Sequence, residues 1–318
     1  MTDLPKTLIE AVRYFSDLSV CNDYMRSIKW PGGKIVCPKC GNESCHELAT
    51  RPGKLKCNKA VCQKQFSYKV GTIFEDSPLG LDKWFVAVWA IANCKNGISS
   101  HELARALGVT QKTAWFMLHR IRKAMETDSF TKMGGEVEVD ETYVGGKAKN
   151  MHVGKRAENI TGRGPANKTA VQGVMQRGGE VRTFVVTKTD ADTLQATVVR
   201  NVDRRASVFT DAAPAYDGLG RAFLHQTIDH VREYVRGTVH TNGIENFWSL
   251  FKRSLKGTYV KVAPFHLQRY ASEQGFRFNL RKTDDGSRFS ALMHRVLGKR
   301  LTYRQLAAIG DCGFMGIQ

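Results

Sequence analysis

Glu136-Val137-Glu138-Val139-Asp140-Glu141-Thr142-Tyr143-Val144 alternates polar with apolar residues, the period of a strand with one buried face. It marks a change of texture in the chain. Upstream, apolar residues recur at helical spacing; downstream, Thr169–Gln176, Val181–Val186 and Ser207–Thr210 read as further strands, and helices are predicted over Ala191–Val202 and Gly243–Lys256. Asp140 lies inside the first strand, Asp211 ends the strand Val208-Phe209-Thr210-Asp211, and Glu245 lies on the last helix. Carboxylates that converge from separate elements are what two-metal phosphodiester chemistry requires. The pattern therefore points to a nuclease or strand-transferase centre built on Asp140, Asp211 and Glu245.

A mixed sheet with helices on its faces, carrying one carboxylate on its first strand and one on its fourth, has the order of a ribonuclease-H-like fold. The helix of Glu245 has an apolar stripe of Ile244, Phe247, Phe251 and Leu255 that is expected to face the sheet. Lys252 follows Glu245 by two helical turns and projects from the same side, which offers a cation for a phosphate backbone. Between the first two strands a glycine-rich, basic stretch runs from Gly145 to Lys168. Its Lys147, Lys149, Lys155 and Arg156 are candidate DNA-backbone contacts, because loops this long are usually functional or disordered. Asp190, Asp192 and Asp217 are explained by helix capping.

The 318 residues carry 48 Lys and Arg against 30 Asp and Glu, a formal net charge of +18. So large an excess raises a positive potential over much of the surface, and a polyanion is the natural partner. No stretch approaches the ~20 apolar residues of a membrane span, and Met1–Met25 lacks the pattern of a signal peptide. The expectation is a cytoplasmic, nucleoid-associated protein with no membrane partner.

Eight cysteines in such a chain argue for metal ligation before disulfides. Cys37-Pro38-Lys39-Cys40 forms one knuckle, and Cys57 with Cys62 supplies a wider second pair. Four thiolates on two turns make a tetrahedral cage that suits zinc. Cys45 and His46 lie near enough in sequence to substitute for one of them. Cys21, Cys94 and Cys312 have no partner at ligand spacing and are expected to be small buried apolar residues.

Between the cysteines and the acidic strand, Ser100–Leu107, a break at Gly108 and a helix from Thr110 to Met125 read as a helix-turn-helix. Its second helix would present Gln111, Lys112 and Thr113 to base edges, with Arg120, Arg122 and Lys123 for phosphates. An ordinary helical hairpin gives the same periodicity; the charge and the adjacent metal ribbon favour DNA binding.

Four separated motifs occur in order: Val70 to Ser77, Gly97 to Arg122, Val139 to Lys147, and His240-Thr241-Asn242-Gly243-Ile244-Glu245-Asn246-Phe247-Trp248 through Arg253. Together they resemble the DDE transposases of the insertion-sequence 1595 family, over about residues 20 to 285. The resemblance implies a zinc ribbon and helix-turn-helix that bind terminal inverted repeats. It also implies a ribonuclease-H-like domain that cuts and rejoins double-stranded DNA with magnesium, or manganese in its place, acting as a homodimer or larger assembly on DNA. Asp140, Asp211 and Glu245 match the triad, and Lys252 the basic residue after it. The expected fold class is multidomain α+β, with an N-terminal helix and zinc ribbon (1–75), a helix-turn-helix region (76–130), an α/β ribonuclease-H-like catalytic domain (131–290) and a C-terminal tail (291–318). A DNA-binding regulator with an inert sheet, or a ribonuclease-H-like nuclease without strand transfer, are the competing readings.

Overall fold

Thr7 and Glu10 close a capping box on the first helix, α1 (Leu8–Phe15), and Asp17 caps the second, α2 (Leu18–Lys29), so each start signal in the sequence is satisfied locally. The computed structural model describes residues 4–127, 129, 131–146, 152, 154, 168–228 and 240–307. The chain divides into two units, Met1–Met125 with Lys282–Gln318, and Glu126–Arg281.

In the first unit, β1 (Cys45–Glu47), β2 (Lys54–Cys57) and β3 (Gln65–Ser67) form a small antiparallel sheet in sequence order. It carries the cysteine knuckles. The helix α3 (Leu81–Asn93) is buried along most of its length, as its apolar run predicts. After it come α4 (Ser100–Leu107) and α5 (Gln111–Met125). Ser99 and Glu102 box the start of α4, Gly108 closes it at φ 61°, and Thr110 Oγ1 accepts from Thr113 N–H at 3.2 Å to start α5. A left-handed residue at this place is what a glycine C-cap supplies. The two helices and the turn between them lie where the sequence places them.

The sequence reading assigns residues to 290 to the catalytic segment and leaves a tail beyond. In the structure α9 (Asp285–His294) packs on α3 inside the first unit. Phe289 is the reason: its ring centroid lies 4.9 Å from Phe15 and 5.7 Å from Trp89. Leu292, Met293 and Val296 are buried with it, and Gly298 N–H donates to Gly71 O at 2.9 Å. Periodicity shows that such a stripe needs a partner but not which one.

The second unit is a five-stranded sheet in the order β6-β5-β4-β7-β8. Its strands are β4 (Glu136–Val144), β5 (Thr169–Gln176), β6 (Val181–Val186), β7 (Ser207–Asp211) and β8 (Leu224–Ile228). The first three are antiparallel, and β7 and β8 run parallel to β4 and to each other, the ribonuclease-H-like arrangement that the sequence anticipates. Helix α6 (Ala191–Asn201), capped by Asp190, and the 3₁₀ segment Pro214–Arg221 cover one face with Val137, Val139, Leu194 and Val198. Helices α7 (Asn242–Ser254) and α8 (Leu267–Asn279) cover the other, where Ile244, Phe247, Trp248 and Phe251 pack on Val171 and Met175. The edge strand β8 escapes the sequence reading because Leu224-His225-Gln226-Thr227-Ile228 has only one buried residue, Ile228. A short helix α10 (Tyr303–Leu306) belongs to the first unit. Among the described residues no helix is long and apolar enough to cross a membrane.

Candidate active site

Asp140 and Asp211 meet because β4 and β7 are parallel neighbours. The pairs Glu136 with Ser207, Val137 with Val208 and Glu138 with Phe209, continued by two residues, set Asp140 beside Asp211. Strand alternation turns Asp140 to the α7 face. Its partner across β5 is Gly173, where an added Cβ would lie 2.7 Å from the Trp248 ring and 2.8 Å from Ile244. Glycine is therefore required there if α7 is to press its second turn against the sheet and bring Glu245 to the aspartates.

The start of α7 is fixed by a buried network. Glu138, wholly buried on the same face as Asp140, accepts from Ile244 N–H at 2.9 Å and from Arg177 Nε at 2.8 Å. Arg177 also donates to His240 O at 2.7 Å and to Glu136 at 3.0 Å, and its guanidinium lies 4.4 Å over the Phe209 ring. An anion at a helix N-terminus and a multiply bonded guanidinium are mutually reinforcing. At Gly243 an added Cβ would come within 2.9 Å of Glu138 Oε2. One turn on, buried Thr241 donates its hydroxyl to Glu245 Oε1 at 3.0 Å. The sequence reading omits this support; its one signal is Glu138, an acid on the buried side of the alternation.

The carboxylates crowd one another. Burial, with the negative charges of Asp211 and Glu245, pushes Asp140 up to about 6, against the Glu141 backbone N–H and the nearby Trp248 indole. That indole makes no full hydrogen bond. Glu141, also missed by the sequence reading, is pushed up to about 8 by burial and by Asp140 and Asp211, and its Oε1 is buried without a hydrogen bond. Asp211 Oδ1 accepts from Ala213 N–H at 3.2 Å. Hard oxygen donors held in mutual repulsion fit divalent cations, which would relieve it. Among the described residues only the cysteine cluster has three or more ligand atoms all within 4.8 Å. Asp140, Asp211 and Glu245 are the residues that would hold divalent cations there.

Both raised groups lower stability once they ionise. Their contribution is fully present below the ordinary carboxylate range and is lost as pH rises through about 6 for Asp140 and about 8 for Glu141. Metal-free protein should lose thermal stability between about pH 4 and about pH 8. Glu141→Gln should flatten the upper part of that fall, and added magnesium should reverse it. A melting profile for Glu141→Gln that parallels the unaltered chain across this range would contradict the assignment.

Cys37, Cys40, Cys57 and Cys62 bring their sulfurs within 4.8 Å of one another. Cys37 Sγ lies 3.8 Å from Cys62 Sγ, and Cys40 Sγ 3.7 Å from Cys57 Sγ. A tetrahedron with metal–sulfur bonds of about 2.3 Å has edges of about 3.8 Å, so the four fit zinc. Burial raises the Cys57 thiol, but the Asn42 amide, a backbone N–H and the neighbouring thiols outweigh it and hold it at about 6. Cys45 turns to Asn42 O at 3.5 Å, and His46 Nδ1 lies 2.5 Å from Asn58 Oδ1; neither joins the cluster. Cys21 is buried, as expected, whereas Cys94 is exposed at the C-cap of α3. Cys312 lies outside the described residues.

On α5, Gln111 and Lys112 are exposed and Thr113 is half-buried. Gln111 donates to Ser100 Oγ at 2.8 Å, and Lys112 Nζ sits 5.4 Å from the Tyr303 ring centroid. Two expected phosphate contacts are not at the surface. Arg120 is 5% exposed and donates to Leu301 O and Glu75 O, and Arg122 is 1% exposed. The reason is that α5 has core on more than one side, so its later turns cannot keep a solvated face. Lys123 is half-buried and Lys252 exposed. Lys147, Lys149, Lys155 and Arg156 lie outside the described residues.

Residues 19–65 match the family described as transposase zinc-ribbon domain, and residues 132–279 the family described as ISXO2-like transposase domain. The chain is also 28% identical over 241 residues to an uncharacterized protein in transposable element ISH50 of Halobacterium salinarum, covering 73% of this chain and 81% of the relative.

Proposed function

Given that the chain belongs to the insertion-sequence 1595 family of DDE transposases, we propose that it binds the terminal inverted repeats of its element and cuts and joins DNA at Asp140, Asp211 and Glu245. The observation that carries this reading is the crowding of Asp140 by Asp211 and Glu245 across a parallel strand pair and a helix.

Magnesium or manganese held there would activate a water or the 3′-hydroxyl of a DNA end and neutralise charge on the phosphate. The chain's residues do the rest. Asp140 and Asp211, on adjacent strands, fix one side of the donor set. Glu245, oriented by Thr241 and held in place through Glu138 and Arg177, supplies the other. Lys252, two turns further along the exposed side of α7, is placed for a phosphate next to the reacting one. Zinc at the four cysteines holds the ribbon, and α5 presents Gln111, Lys112 and Thr113 to base edges. Two element ends must be joined in one reaction, so the working form is a homodimer or larger assembly on DNA, in the cytoplasm at the nucleoid.

The test is a gel-shift and joining assay with the full chain on duplexes that carry the terminal sequence flanking the gene. Specific binding should fall steeply with salt as counterions are released, and a pre-cut end should be joined to target DNA in magnesium. Lys112→Ala should narrow the gap between terminal and random duplex by about tenfold, the scale of one lost base contact. Equal affinity for both duplexes at every salt concentration, or no joined product, would reject the reading.

A further inference from the structure

Helix α7 does not end in a regular cap. It continues through a π-turn, Leu255–Tyr259, into Val260 at φ 58° and ψ −56°, with Lys261 N–H donating to Tyr259 O at 2.6 Å. This is a γ-turn of the rare, strained hand, centred on a β-branched residue, for which a positive φ is costly. Its side chain is 80% exposed, so packing gives it nothing in return. Phe265, in the same connection to α8, is 50% exposed.

The strain is imposed from beneath. Tyr259 donates its hydroxyl to Glu273, which is wholly buried on α8 and paired with Arg277, and its ring meets the edge of Tyr270 at 4.7 Å. Ser254 and Arg277 both bond Gln274, at 3.2 and 3.0 Å. A turn this firmly anchored, with its strained residue pointing outward, is built to present that residue; strain of this kind persists only where the surroundings over-determine it.

The surface around it is cationic. Lys252, Arg253, Lys256 and Lys261 are all exposed, and no acidic residue lies between Glu245 and Glu273. We propose that the connection from Lys252 to Phe265 is a duplex-DNA contact, in which the four cations take phosphates and Val260 is an apolar wedge against a base step. This rests on the transposase reading. Exposed apolar side chains in a cationic surface are the means by which proteins unstack a step and bend a duplex. From Glu245 to Val260 the helical connection spans about 22 Å at 1.5 Å per residue, which corresponds to about six to seven base pairs at 3.4 Å each. The disturbed step should therefore lie about that far from the scissile phosphate.

The experiment uses the full chain and pre-cut duplexes of the flanking terminal repeat, with 2-aminopurine placed at successive positions along the first turn. Fluorescence should rise on binding at the step about six to seven base pairs from the end and nowhere else nearby. Val260→Gly, which relieves the backbone and removes the wedge, should abolish that rise and weaken end binding by about tenfold, while the melting temperature holds or increases. Lys256→Ala and Lys261→Ala should each flatten the salt dependence of binding by about one unit of slope. If the unaltered protein binds and joins ends but Val260→Gly keeps both the fluorescence rise and full affinity, the wedge is wrong and the transposase reading stands. If the unaltered protein binds no duplex, both fall together.

Discussion

Asp140→Ala should leave end binding within about twofold of the unaltered protein and lower the rate of joining by at least about a thousandfold, since several kcal/mol of transition-state stabilisation come from the metal centre. The two readouts separate because Asp140 is a largely buried acid that repels its neighbours and should repel DNA, so its loss takes nothing from association. Asp211→Ala should behave alike. Loss of fold is excluded by a third measurement. Asp140 has its pKa pushed up to about 6 by burial and by two acids, so removing it relieves repulsion at neutral pH, and the melting temperature of metal-free Asp140→Ala should not fall. Lys252→Ala removes a phosphate contact and not a ligand, so joining should slow only by about tenfold. The assay scores joined product from a pre-cut end on a gel in magnesium. Full joining by Asp140→Ala or Asp211→Ala would overturn the triad, whereas full joining by Glu245→Ala alone would move the third ligand to Asn242 or Asn246, its neighbours on α7.

The parts of this site that the sequence discloses are those written in local rules. Alternation in Glu136–Val144 and the position of Asp211 at a strand end suffice to name both aspartates, because side-chain direction in a strand follows from parity. The capping box at Ser99 and the left-handed Gly108 delimit α4 and α5 in the same local way. What stays hidden depends on partners distant in the chain. Glu138 is an acid among apolar positions until Arg177 and the amide of Ile244 are brought to it. Gly173 means nothing until Trp248 lies over it. Arg120 and Arg122 fail for the converse reason: by residue type they are cations on a reader helix, and only the packing of Glu75 and Leu301 around α5 shows that Arg120 is spent on carbonyls. The placement of α9 with the first unit is hidden in the same way, since an apolar stripe names no partner.

Cys57→Ser should strip the protein of its zinc and, with it, of specific end binding, while the catalytic unit keeps its fold. The ribbon sheet is three short strands with few wholly buried apolar side chains, chiefly Leu55 and Phe66, so burial alone cannot hold it. Metal binding at a four-thiolate site releases about 10–16 kcal/mol, comparable with or larger than the whole stability of an ordinary domain, about 5–15 kcal/mol. Serine cannot replace a thiolate at that geometry, and three sulfurs leave the tetrahedron open. Elemental analysis should fall from one zinc per chain to a small fraction, and the amides of β2 and β3 should exchange freely. Cys45→Ser is the matched control: its sulfur faces Asn42 O outside the cluster, so zinc and end binding should be retained. Retention of zinc by Cys57→Ser, or its loss from Cys45→Ser, would show that the ligand set is drawn wrongly, because the two sites differ in sequence only by distance and in space by membership of the cage.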